Sequence, residues 1–277
     1  LGGLALIPPT TVSAATIVVT EIDDHLHGGM VGTCNSGYDC TLREAVTLAN
    51  NSAFTEDTIV FAPGLAGATI VLNSTIPVIS PITISGPTLK LTITGSGIRL
   101  FTSGSTLIME NLVLTGGAGD PYGGAINNQD GTLTVRNMTF FNNQATNSIT
   151  GTGGAIYNHG TLTIEECTFQ GNMAGSMSGG GAIFNDTGPL TITNSTFTTN
   201  TSTHGGAISL FGGTLSLTGS TFDSNSTSWA GGGIHLAASS SATIVNSTFY
   251  SNVGGFNGGG AINNAGTLNI NFSTIAN

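Results

Sequence analysis

The chain has 277 residues, of which 42 are glycine, 6% are charged and only 4 are Lys or Arg, giving a formal net charge of -10. So few bases exclude a nucleic-acid partner, whose phosphates need several cations to neutralise them, and disfavour anionic membranes and charge-paired capture of acidic polysaccharide. Mean hydropathy is just +0.25, so Ser, Thr, Asn and Gly stand where charge would otherwise be, and the expected surface is polar but neutral.

Residues 1–15 are apolar and then small, ending Val12-Ser13-Ala14-Ala15. They read as the residual part of a secretory signal, with the mature chain starting near Ala15 or Thr16. Beyond them no apolar run approaches the ~20 residues of a membrane helix, so no membrane insertion by the visible chain is expected.

Residues 16–57 read as an N-terminal cap segment. Glu21, Asp23, Asp24, His25 and His27 cluster in it, offering carboxylates for calcium or imidazoles for a transition metal. Their spacing follows no strong ligand pattern, so a polar surface loop is the preferred reading and no cofactor is expected. Cys34 and Cys40 flank a glycine-containing loop and are the candidates for a disulfide in an oxidising compartment. Two free thiols, or part of a metal site, are the alternatives. Thr41-Leu42-Arg43-Glu44 is a capping box opening a helix to about Asn50, with Leu42, Ala45, Val46 and Ala49 as its apolar stripe.

Residues 58–277 carry the repeat that decides the fold. Gly-Gly-Ala-Ile begins at Gly123, Gly153, Gly180, Gly205 and Gly259, with a variant at Gly231, a period of about 25–30 residues. A Leu-x-Ile element follows each, as at Leu133 and Val135, Leu162 and Ile164, Leu190 and Ile192, Leu215 and Leu217, and Leu268 and Ile270, weakening to Ala242 and Ile244. The third element is Thr-Phe-x-x-Asn, with Phe140, Phe169, Phe197, Phe222 and Phe249 paired to Asn143, Asn172, Asn200, Asn225 and Asn252. Alternation with period two makes each element a strand with one inward face, and Gly and Asn supply the bends. Three elements per period imply three strands per coil, with equivalent side chains stacked ~4.8 Å apart.

The expected fold is therefore an all-β, right-handed parallel β-helix, a pectin-lyase-like solenoid closed at one end by the short helix. Its five phenylalanines form an internal stack, and Cys167 falls in a column of small residues as a buried free thiol. Asn111, Asn137, Asn194 and Asn246 precede the Phe or its Leu114 counterpart and read as a ladder of left-handed turns. A glycan-binding ladder is the alternative, as it is for Asn128, Asn158, Asn185 and Asn264. Upstream, Thr58–Phe61, Ala68–Leu72, Ile82–Ile84, Leu91–Ile93 and Leu107–Leu114 extend the helix less regularly. The last copy breaks off at Ile275 to Asn277, which reads as a piece of a longer protein.

Two resemblances attach to these motifs. Cys40 to Val46, Cys-Thr-Leu-Arg-Glu-Ala-Val, resembles the Cys-Ser-Leu-Arg-Glu-Ala segment of an N-terminal domain found in secreted bacterial β-helix proteins. The Gly-Gly-Ala-Ile and Phe-x-x-Asn pair resembles the repeat of polymorphic outer-membrane proteins, which implies a surface-displayed, adhesin-like β-helix. The outer-membrane barrel of those proteins has no counterpart in the 277 residues.

Chemistry on such a scaffold needs clustered carboxylates. Asp130, Asp186 and Asp223 fall in different coils, and Arg136 is the last basic residue. His159 and Asp186 are expected as neighbours in adjacent coils, read as a solvated turn pair. Trp229 sits in a loop, as either a sugar-binding aromatic or a packed anchor. Sequons such as Asn194-Ser195-Thr196 arise by chance in an Asn- and Thr-rich repeat. The expectation is a secreted or cell-surface module, adhesin-like or matrix-forming and non-catalytic, with a glycan, a protein surface or its own copies as partner. A polysaccharide lyase or glycoside hydrolase and a self-assembling filament are the alternatives.

Overall fold

The computed structural model describes residues 13–26, 34, 39–52, 56–147, 150–175 and 179–276. His27 and most of the apolar N-terminus lie outside the described residues. The rest is a parallel β-solenoid whose strands form ten-, nine- and eight-stranded sheets and a shorter five-stranded one. One coil shows the path. Thr106–Glu110 lies in the ten-stranded sheet and Leu112–Thr115 in the nine-stranded sheet; Ala118–Gly119 starts the short sheet, and Ile126–Asn128 lies in the eight-stranded sheet. The chain then returns one rung higher at Thr132–Arg136.

The three expected walls are all present, and every strand pairing among the described residues is parallel. The fourth sheet is an addition. It follows the Phe-x-x-Asn turn in the central coils and includes the four-residue Thr201–His204 and five-residue Ser226–Ala230. Its early strands are two residues long, too short for a period-two signal. Two strands of the eight-stranded sheet, Ile76–Val78 and Phe101–Ser103, were also invisible in sequence. Pro77 sits at the middle of the first, tolerated because that strand is the edge of its sheet.

Register places like on like. Phe140, Phe169, Phe197, Phe222 and Phe249 pair in consecutive strands and are fully buried. Their ring centroids are 4.5, 4.8, 4.6 and 4.7 Å apart, with planes within 13°. Each ring contributes about 1.5–3 kcal/mol of burial. A column of Ile126, Ile156, Ile183, Ile208 and Ile234 fills the opposite wall.

Both glycines of Gly-Gly-Ala-Ile are dictated by this packing. Gly180 has φ +74, and a Cβ there would sit 2.2 Å from the Ile183 carbonyl oxygen; on Gly181 it would sit 2.1 Å from the Gly206 oxygen of the next coil. Only glycine lets the chain reverse while touching its neighbour.

The helix α1 spans Leu42–Asn50, with Thr41 and Glu44 closing the reciprocal cap and Leu42, Ala45, Val46 and Ala49 buried. It packs on the strands Thr16–Val19 and Ile76–Val78. Thr16–Val19, inside the segment read as a cap, is itself the first rung of the ten-stranded sheet and pairs with Asp57–Phe61.

Candidate functional site

The columns of polar residues separate into inner and outer sets. Asn111, Asn137, Asn194 and Asn246 all take positive φ, between 47° and 58°, and Asn137 donates to the Asn111 carbonyl at 2.8 Å. The continuous amide ladder runs elsewhere, through Asn143, Asn172, Asn200, Asn225 and Asn252, each buried. In each step the lower amide nitrogen donates to the oxygen above at 2.9–3.0 Å, and also to a carbonyl of the coil below. Asn128, Asn158 and Asn185 form a second buried chain at 2.6 and 2.7 Å. The asparagines of these two buried chains are consumed by the turns and have no access to a glycan, whereas Asn137, Asn194 and Asn246 are exposed. Asn264 is exposed, and its side-chain oxygen accepts from Gly266.

Cys34 and Cys40 are joined by a disulfide, with Cα atoms 4.9 Å apart. Cys167 is free and buried. It heads a run of Ser195, Ser220, Ser247 and Ser273 in which each side chain accepts the backbone N–H of the previous coil's equivalent residue. Burial pushes its thiol up to about 12.

The acidic N-terminal cluster divides. Asp24 is buried and held by Arg43 through two hydrogen bonds of 2.8 and 2.7 Å, while Asn73 N–H donates to it at 2.6 Å. It is a structural anchor of the cap. Glu21, Asp23 and His25 keep one ligand atom each within 4.8 Å of one another. Burial, then the nearby Asp39 and Asp23 charges, raises the Glu21 carboxyl above its ordinary value.

The eight-stranded sheet carries the most developed surface feature. In each of its strands the middle residue alternates away from the inner Ile column, and register aligns Asn127, Tyr157, Phe184 and Ser209, of which Tyr157 is partly exposed and the others are covered by neighbouring groups. Tyr122, from the loop before that sheet, packs against Tyr157 with centroids 4.4 Å apart and planes tilted by 33°; Phe184 follows at 5.7 Å and Phe211 at 6.1 Å. Arg99 fixes the Tyr122 loop by donating to the carbonyls of Tyr122, Gly123 and Asp120 at 2.7–3.3 Å. The result is an outer aromatic row along the solenoid axis.

Polar groups gather beside that row. His159 Nδ1 lies 2.9 Å from Asp130, and its Nε2 lies 3.9 Å from Asp186. The Tyr157 hydroxyl donates to Asp186 at 2.9 Å. Burial, reinforced by that bond, holds the phenol protonated well beyond its ordinary range. Sequence reading paired His159 with Asp186 alone; the structure adds Asp130 from the coil below and Tyr157 from the same strand. Tyr157 leaves no periodic mark because it is the middle residue of a three-residue strand, and Tyr122 leaves none because it lies in a loop.

Two clefts flank this row, of about 390 Å³ beside Asn127, Gln129, Asp130 and His159, and about 250 Å³ beside Thr152, Phe184, Asp186 and Phe211. Tyr122 and Tyr157 line both. Trp229 lies elsewhere, in the strand Ser226–Ala230 and not in the expected loop, because the fourth sheet extends there; it is 41% exposed and stacked 5.6 Å from Phe256.

Comparison with known proteins agrees with the architecture. Residues 137–159 match the Chlamydia polymorphic membrane protein repeat. The chain is a β-helix repeat protein similar to the polymorphic membrane proteins. It is also 33% identical over 124 residues to the metabotropic glutamate receptor-like protein R of Dictyostelium discoideum, a match covering 44% of this chain and 8% of that protein. The aligned part is a small fraction of that relative.

Proposed function

We propose that this chain is a surface-displayed adhesion module, non-catalytic, whose outer aromatic row on the eight-stranded sheet engages a glycan or protein ligand. The repeat match to polymorphic membrane proteins supports the surface location, and the disulfide is at home in an oxidising compartment. The observation that carries the binding role is the row Tyr122, Tyr157, Phe184 and Phe211 with hydrogen-bonding groups along its edge. Such a row is unusual on a wall otherwise built of Ser, Thr, Asn and Gly, and aromatic rings flanked by polar groups are the composition of binding sites. The test is adhesion of the purified protein to cells and immobilised glycans, compared with Tyr122→Ala and Phe211→Ala. Loss of adhesion in both variants with unchanged melting supports the reading, and undiminished adhesion refutes the aromatic row as the binding surface.

The row Asp130, His159 and Asp186 favours a second reading, hydrolysis of a bound glycan. Its carboxylates stand two rungs apart, roughly 9.6 Å by the ~4.8 Å strand spacing, near the separation used by inverting glycosidases. Release of reducing ends from neutral polysaccharides, abolished by Asp186→Asn, would establish it.

A further inference from the structure

We propose that the two clefts around Tyr122 and Tyr157 form one discrete binding site for a neutral saccharide, with Asn127 and Thr152 as its buried hydrogen-bond anchors. The proposal rests on the adhesion reading above and names the ligand class for that surface.

Two independent observations point to a ligand. Asn127 is 4% exposed and lines the larger cleft, and its Oδ1 has no hydrogen-bond partner. Thr152 is 5% exposed and lines the smaller cleft, and its Oγ1 likewise has none. Buried polar atoms are nearly always satisfied, so an orphan in a cleft wall calls for an explanation. Here there is one on each side of the same tyrosine pair. The contrast is with the Asn143 column, where every asparagine from Asn143 to Asn225 has both its amide nitrogen and its oxygen engaged; in the second chain Asn128, which lines neither cleft, also keeps an Oδ1 without a partner.

The chemistry of the walls selects the ligand. Asn127 Oδ1 is an acceptor and needs a donor, which a sugar hydroxyl supplies; Thr152 Oγ1 can donate or accept. Gln129 and Asp130 add further hydrogen-bonding groups at the rim, and Tyr122 and Tyr157 supply apolar ring surface against which the C–H groups of a sugar can pack. Charge excludes an acidic ligand. Asp130 and Asp186 flank the site, while the nearest guanidinium, Arg99, is spent on the loop carbonyls. Arg136 is paired with Glu165 and Arg43 with Asp24.

The experiment titrates the protein with cellotetraose, maltotetraose and mannotetraose, and with tetragalacturonate and a glucosamine tetramer as charged comparators. Calorimetry and saturation-transfer NMR provide the readouts. At least one neutral tetrasaccharide should bind more tightly than both charged ones, and Asn127→Leu and Thr152→Val should each weaken it about tenfold while leaving the melting temperature equal or higher. Tyr122→Ala should abolish binding. If no neutral tetrasaccharide binds, if a charged one binds best, or if the two anchor variants bind like wild type, the saccharide site is overturned. Parallel adhesion assays separate the two levels. Cell adhesion that survives all three substitutions leaves an adhesion module with its site elsewhere, whereas absent adhesion with intact tetrasaccharide binding removes the adhesion reading alone.

Discussion

Asn200→Ala should be among the most damaging single changes in the solenoid, and Asn194→Ala among the mildest, although the two asparagines are six positions apart in one repeat. The Asn200 side chain is fully buried. Its Nδ2 donates to the Phe169 carbonyl at 3.0 Å and to Asn225 at 2.9 Å, and its Oδ1 accepts from the backbone and side chain of Asn172 at 3.0 and 2.9 Å. Removing it strips the Asn172 N–H of that acceptor inside the core, a cost of about 1–3 kcal/mol. The other three lost bonds add about 0.5–1.5 kcal/mol each, for a total of roughly 2.5–7.5 kcal/mol. Asn194 is exposed at φ 49°, so alanine there costs only left-handed strain, about 1–2 kcal/mol. Glycine should cost nothing, since Gly219 holds the equivalent turn at φ 61°. Because a solenoid can open coil by coil, native-state hydrogen exchange on the coils around residue 200 is the appropriate assay, with urea unfolding beside it. An Asn200→Ala penalty equal to or below that of Asn194→Ala would refute the assignment of the inner column as the load carrier.

Cys167→Ser should continue the serine column without loss at neutral pH and improve stability in alkali. With the thiol raised from 9.0 to about 12 in the folded chain, the unfolded state alone ionises between those values. Its stabilisation is thus complete below about pH 9 and fades as pH rises toward 12; urea midpoints from pH 8 to 11 should fall more steeply for wild type. Arg43→Ala leaves the buried Asp24 carboxylate without its guanidinium, and should destabilise the N-terminal coil by about 3–5 kcal/mol, read as faster exchange in Thr16–Val19 and Asp57–Phe61. Phe197→Ala, with rings stacked above and below, should cost about 3–5 kcal/mol, against under ~1.5 kcal/mol for Phe197→Leu; equal melting temperatures for the two would count against a tightly packed aromatic column.

Most of the scaffold was legible because a solenoid repeats its constraints. Gly180 and Gly181 recur because each coil must make the same reversal against the same neighbour, and Phe197 recurs because a ring of another size would break the stack. Legibility failed where a constraint acts once. Ile76–Val78 hides behind Pro77, which an edge strand alone can accept. The two-residue strands Ala118–Gly119 and Gln144–Ala145 are defined by their partner across the coil, which no local pattern announces.

The same reasoning explains why the candidate site was the least legible part. Repetition hides function, because a residue that recurs in every coil is there for the coil. The outer ladder positions read as turns for this reason, and Asn137 and Asn194 hold them at positive φ. Tyr122 and Thr152 instead belong to loops whose sequences differ between coils, and they meet through the isolated pairing of Tyr122 with Thr152 rather than through a strand. Asn127 stands between Thr102 of the coil below and the two rings Tyr157 and Phe184 of the next coils, so an amide borders the aromatic run. Its amide oxygen has no equivalent residue in the neighbouring coils to pair with and is left without a partner. In a repeat protein, the departure from the repeat is where a ligand is to be sought.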